Sequence, residues 1–174
     1  MKGLSQWIRI IVLSCLCVSF AAAQERVGGI TGTGILPARI SGTVTELGSI
    51  HVNGQHIRFD TGMPVQDAVF LASAEDIRPG HTVAVVAEPA EGDWQALSIR
   101  QIMPLLGPMD EVGDGWLTVM GTHVVASGLT GDIAPGQWVA VSGLWRDREV
   151  VASRLDPVPS GAVPARILGT AFPD

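Results

Sequence analysis

Tyrosine is missing from this 174-residue chain, lysine occurs once, at Lys2, and cysteine twice, at Cys15 and Cys17. Lysine and cysteine chemistry is therefore confined to the first 17 residues. If that segment is removed, no thiol nucleophile, Schiff-base amine or phenolic acid is left to the protein. No disulfide is left either, so stability has to come from apolar burial. Positive charge is scarce too. Without residues 1–23 the chain carries nine arginines against seventeen acids, a formal net charge of −8, and the arginines are scattered. An acidic surface with no basic patch repels phosphate backbones, which excludes nucleic acid as a partner. No serine lies in a Gly-x-Ser-x-Gly setting, so a nucleophile elbow is absent. Gly32-Thr33-Gly34 has no strand before it and no helix after it, and so is not a phosphate loop. Helical periodicity with caps is also wanting; Gln66–Ile77 has room for one helical turn at most. No cofactor and no catalytic residue is expected.

The N-terminus reads as an address. Lys2 and Arg9 are its only charges, Ile10–Phe20 is apolar, and Ala21-Ala22-Ala23-Gln24 supplies the small residues of a cleavage site. That pattern predicts a secretory signal over residues 1–23, with Gln24 as the first mature residue and a mature protein that is periplasmic or secreted. The uncharged stretch falls short of the roughly 20 residues that span a bilayer. Val12-Leu13-Ser14-Cys15 resembles a lipoprotein box, but Leu13 fits it poorly and cleavage there would leave only four apolar residues after Arg9.

What the chain does have is Val, Ile, 21 glycines and 11 prolines, at 47% hydrophobic residues. This is the composition of many short strands joined by tight turns. It is also duplicated. Asp76-Ile77-Arg78-Pro79-Gly80-His81-Thr82-Val83-Ala84-Val85 returns as Asp132-Ile133-Ala134-Pro135-Gly136-Gln137-Trp138-Val139-Ala140-Val141. A further echo, Pro37-Ala38-Arg39-Ile40-Ser41-Gly42-Thr43, returns as Pro164-Ala165-Arg166-Ile167-Leu168-Gly169-Thr170. It has two readings: the stub of a third copy, or a closing strand on an open sheet edge. The closing strand is favoured.

Asn53-Gly54 between alternating apolar residues predicts a two-residue type I′ hairpin. The register follows: Val52 opposite Gln55, His51 opposite His56, Ile50 opposite Ile57, Ser49 opposite Arg58. Ile50, Val52, Ile57 and Phe59 then face a core, while Ser49, His51, His56 and Arg58 face outward. The expected fold is all-β, two tandem small antiparallel β-barrel (OB-like) repeats with a C-terminal extra strand. The expected bounds are a Gly-rich linker over 24–37, repeats over 38–102 and 103–157, and a tail over 158–174 with a partial third-repeat strand.

The Gly28–Ile35 lead-in, Gly42-Thr43-Val44, Gly48-Ser49-Ile50, Val52-Asn53-Gly54 and the repeated Ile-x-Pro-Gly-x-x-Val-Ala-Val element resemble bacterial exported proteins of the family catalogued as domain of unknown function 5666. The likeness covers roughly residues 28–157 and rests mainly on glycines and turns. It implies repeated small β-barrels outside the cytoplasm, and no agreed activity, ligand or site residue comes with it.

Three groups of side chains are candidates for a site. Directly opposed strand residues hold their Cβ atoms about 5 Å apart, so His51 and His56 could share a metal, with Asp60 or His81 as a third ligand. The competing reading is two solvent-facing polar residues. Asp110, Glu111 and Asp114 crowd a hairpin but lack the alternating pattern of a calcium loop. Trp116 and Trp138 fall at strand positions and are expected in the second core. Trp94 and Trp145 lie beside hairpin turns, where an exposed indole stacks on a sugar ring or a partner chain. The favoured reading is a non-enzymatic binding or structural module of the cell envelope, with an envelope protein or polysaccharide as partner. The alternative is a metal-binding protein or metal-dependent enzyme built on His51 and His56.

Overall fold

Alternation of apolar and polar residues between Gly-bearing turns builds twelve strands in the computed structural model, which describes residues 36–46, 50–131 and 133–169. The proposed signal, most of the Gly-rich linker and Ser49 lie outside the described residues. The first repeat contains β1 (Ala38–Thr43), β2 (Ile50–Val52), β3 (Gln55–Arg58), β4 (Val65–Gln66), β5 (Thr82–Ala90) and β6 (Asp93–Ile102). The second contains β7 (Leu105–Gly113), β8 (Trp116–Val119), β9 (Thr122–Val125), β10 (Trp138–Arg146) and β11 (Glu149–Val158), and β12 (Arg166–Ile167) follows. A single 3₁₀ turn, Ala74–Asp76, is the helical content of the Gln66–Ile77 stretch.

The Asn53-Gly54 hairpin has the register its turn residues predict, Ile50↔Ile57, His51↔His56 and Val52↔Gln55. Both turn residues take positive φ, 51° and 74°, and Met120-Gly121 does the same in the second repeat at 49° and 75°. Each hairpin folds its first turn residue over the opening strand: a Cβ on Gly42 would meet the Asn53 side chain, and one on Gly107 would meet Met120. Ile50, Val52 and Ile57 are buried with Val44, Val83, Val85 and Ile99, and Phe59 packs half-buried against them.

The strand order is the same in both repeats. In the second, β7, β8 and β9 form an antiparallel meander, β9 runs parallel to β11, β11 pairs with β10, and β10 returns to β7. That closes a five-stranded barrel with the connectivity of the OB-fold. In the first, β2–β3, β3–β6, β6–β5 and β5–β1 follow the same path, with β4 added parallel to β6. Its ladder stays open, and the two ends meet only at a bridge between Val44 and Val52. The one parallel contact along each path, β3–β6 and β9–β11, is what distinguishes this order from a wholly antiparallel barrel. Both long hairpins carry a bulge at the same place: Leu97 is the unpaired extra residue opposite Val86/Ala87, and Ser153 opposite Ser142/Gly143.

Within the Pro164–Thr170 echo, Arg166–Ile167 pairs with an edge as an extra strand and does not close the barrel. β12 lies antiparallel on β7, with Arg166↔Leu106 and Ile167↔Leu105. The barrel itself is sealed by β10–β7, so β12 is an additional strand on its rim. A small third core joins the repeats, in which Met103, Leu106, Ala140 and Val158 pack with Val69, Trp138 and Val163. Trp138 therefore fills the seam between barrels, not the second core as its strand position suggested.

The seam is also polar. The Ser153 hydroxyl donates to Gly80 O at 2.6 Å and lies 3.1 Å from Thr82 Oγ1. Arg154 donates to Pro79 O, and His81 Nε2 stands 3.3 Å from Asp156. The bulge residue of barrel two thus grips the Pro-Gly turn of barrel one. In barrel two the matching Pro135-Gly136 turn is exposed.

Candidate functional site

His51 and His56 project from the outer face of the β2–β3 hairpin, and their rings stack at 4.8 Å with 23° between planes. Stacked rings do not converge their nitrogens on one point. His56 Nδ1 is 2.9 Å from Asp93 Oδ1 at the start of β6. His51 Nδ1 has no hydrogen-bond partner, and the Glu46 carboxylate lies 3.8 Å from it. Arg58 completes the group, reaching Asp93 at 3.4 Å and donating to Ala90 O. The hydrogen bond from His56 holds the Asp93 carboxyl below its ordinary range, more strongly than partial burial raises it, and the positive charge of Arg58 adds to the effect.

The candidate third ligands are engaged elsewhere. Asp60 accepts from Gln95 Nε2. His81 is 4% exposed at the seam, where Nδ1 accepts from Arg78 N and Nε2 faces Asp156; that pattern fixes the Nε2–H tautomer. Among the described residues no group of three or more His, Cys, Asp and Glu is arranged to hold a metal ion. That applies to Asp110, Glu111 and Asp114 as well, where Asp110 instead accepts the Gly121 N–H across the hairpin.

The tryptophans are tied into the fold. Trp94 packs half-buried on the first core and donates its indole N–H to Gln55 Oε1 at 2.9 Å. Trp145, 37% exposed, donates to Leu168 O at 2.6 Å and so fastens the segment after β12. Its ring borders a hollow of about 230 Å³ shared with Ile102, Pro104, Leu144 and Leu168. Trp94 lies beside the histidine pair, next to Asp93, which pairs with His56, whereas Trp145 belongs to the second barrel. Trp116 is not in the second core: it lies over Gly113, half-exposed, and stacks on His123 at 5.9 Å.

His123 leads to a correspondence between the two repeats. The parallel pairs Ile57↔Trp94 and Val124↔Val150 put His123 in the place of His56 and Glu149 in the place of Asp93. His123 Nδ1 is 3.2 Å from Glu149, as His56 is 2.9 Å from Asp93. An arginine joins each pair by a different route. In barrel one it is Arg58 on β3, where barrel two has Val125; in barrel two it is Arg146 on β10, where barrel one has Ala90. Arg146 Nε donates to Glu149 at 3.0 Å, and that contact, above all, lowers the Glu149 pKa. Each barrel thus presents a histidine, a carboxylate and an arginine, with an aromatic ring stacked on the histidine, beside the last hairpin. In barrel two these residues, with Asp147 and Arg148, border an open hollow of about 430 Å³. The two hairpins set His123 in the place of His56, and the registers of β3–β6 and β9–β11 bring the carboxylates beside them.

Residues 40–100 and 107–156 both match the family described as domain of unknown function (DUF5666). None of the curated proteins and none of the solved structures matches the chain.

Proposed function

The chain belongs to the DUF5666 family, and from its paired barrels we propose that it is an exported, non-enzymatic binding module of the bacterial cell envelope, with polysaccharide as its partner. The observation that carries this reading is the His–carboxylate–Arg cluster set twice at equivalent positions, on His56–Asp93–Arg58 and His123–Glu149–Arg146. In barrels of this topology the strand 2–3 face and the adjoining hairpins are where oligosaccharides and oligonucleotides bind, an analogy of fold rather than of sequence. A carboxylate paired with arginine offers directed donors and acceptors to sugar hydroxyls, and the neighbouring ring gives a flat apolar surface. The acidic net charge disfavours the phosphate-rich alternative. Export rests on the residue 1–23 pattern.

Co-sedimentation of the exported chain with purified peptidoglycan sacculi and with insoluble neutral glucan tests the reading. Retention should fall on the order of tenfold for each of His56→Ala and His123→Ala, and further in the double variant because two linked sites reinforce one another. Retention that ignores both substitutions refutes it.

A further inference from the structure

Strand β12 contains a register with a consequence for β1. Its sequence repeats that of β1, so Arg166 stands for Arg39 and Ile167 for Ile40. Its partner β7 is the second barrel's version of β1. The pairs Val85↔Ile40 and Ala84↔Ser41 in barrel one match Val141↔Leu105 and Ala140↔Leu106 in barrel two, which puts Leu105 at the place of Ile40 and Leu106 at that of Ser41. The observed pairs Ile167↔Leu105 and Arg166↔Leu106 therefore translate into Ile40↔Ile40 and Arg39↔Ser41. An antiparallel pairing in which one residue faces its own copy is the register of a two-fold axis.

We infer that two copies of this chain associate by pairing β1 with β1, antiparallel, about a two-fold axis at Ile40. The edge is open for it. β1 ends its sheet, with β5 as its only strand neighbour among the described residues. Val44 N donates to His81 O on the β5 side, so by the alternation of an antiparallel ladder Arg39 and Ser41 turn their backbone groups outward. Ser41 O accepts from Asn53 Nδ2 and keeps a second lone pair. Barrel two shows that this side has room: Met120 covers Gly107 as Asn53 covers Gly42, and β12 still pairs at Leu105–Leu106. Ile40 is half-buried over the first core, and Leu36, 84% exposed, stands just before the strand, so the margin is apolar as well as unpaired. Such an edge attracts a strand, and a self-complementary register makes the contact isologous and closed at two copies.

Each interface places Arg39 of one copy opposite Ser41 of the other, twice. Position 41 can therefore be charged to attract or to repel without touching the barrel interior. Sedimentation of the full chain, run from about 5 to about 300 µM, should show a monomer–dimer equilibrium that depends on concentration. Ser41→Glu should tighten the dimer and Ser41→Arg loosen it, separating their dissociation constants on the order of tenfold. Ser41→Pro, which removes an outward N–H from an edge strand, should abolish the dimer; if that variant does not fold, the two charge variants decide the matter. A monomer across the whole range, as when residues 24–35 of the same chain cover the edge, overturns the inference. So does a dimer indifferent to the charge at position 41.

Discussion

Replacing Gly80 and, separately, Gly136 by alanine measures how tightly the two barrels are joined, because the two turns are copies of each other in different surroundings. Both are Pro-Gly turns closed by the same backbone bond, His81 N to Arg78 O and Gln137 N to Ala134 O, each 3.1 Å. Both glycines take the left-handed conformation, at φ 89° and 86°. An L-residue there costs roughly 1–2 kcal/mol in either turn. The difference lies beyond the turn. A Cβ on Gly136 meets nothing within 4 Å, whereas one on Gly80 would stand 2.7 Å from Ser153 O and 2.9 Å from Arg154 Cβ. Backbone cannot rotate out of the way, so Gly80→Ala either pushes the barrels apart or strains both, adding about 1–3 kcal/mol. Urea unfolding followed by tryptophan fluorescence gives both numbers, provided the slopes stay equal. Gly136→Ala should cost about 1–2 kcal/mol and Gly80→Ala about 2–5 kcal/mol. If the two losses agree within ~0.5 kcal/mol, the spread expected of unrelated surface changes, the seam is slack and the grip of Ser153 on Gly80 is not a structural joint.

Two further outcomes are expected. Burial raises the Asp156 pKa, but hydrogen bonds from His81 and Arg154 outweigh it and leave the group below its ordinary value; Asp93 and Glu149 are lowered as well. A depressed folded-state pKa contributes stability present above the unfolded carboxylate value and lost as pH falls through the folded one. Unfolding free energy should therefore drop between about pH 5 and about pH 2, and Asp156→Asn should flatten that drop; an unchanged slope would show that the seam pair contributes nothing. Trp145→Phe removes the bond to Leu168 O while keeping the ring, so amide exchange at Leu168 and Arg166 should quicken about three- to tenfold with little change in melting temperature. Equal exchange in both proteins would mean that β12 holds by its pairing alone.

Local chemistry was readable and distant pairing was not. Asn53-Gly54 announced its own register because two residues of positive φ and the flanking alternation leave one solution. The repeated Pro-Gly motif disclosed the duplication for the same reason. The parallel β3–β6 and β9–β11 contacts join segments far apart in sequence, with no turn between them to read. The matching hairpins already set His123 against His56; the parallel registers add that each histidine stands beside a carboxylate on the neighbouring strand. Trp116 and Trp138 misled because strand position says which way a side chain points only once the barrel's faces are known. Trp138 points into the seam, Trp116 onto Gly113, and Trp94 and Trp145 spend their indole N–H groups on Gln55 and Leu168. His51 and His56 stand opposite one another, as the hairpin predicts, but their proximity makes a ring stack and not a chelate.

The grip of Ser153 on Gly80 also sets an order of events in time. Its hydrogen bonds join residues 71 to 75 positions apart in the chain, whereas the tight hairpins at Asn53-Gly54 and Met120-Gly121 close within their own neighbourhood. Contacts of long sequence separation form late, after the loop entropy between them has been overcome. Barrel one can thus assemble while its partner is still unmade, holding an exposed Pro79-Gly80 turn until Ser153 arrives. Docking becomes a final step, separate from the folding of either half. A lesion at the seam would then slow completion of the molecule and leave each barrel already built.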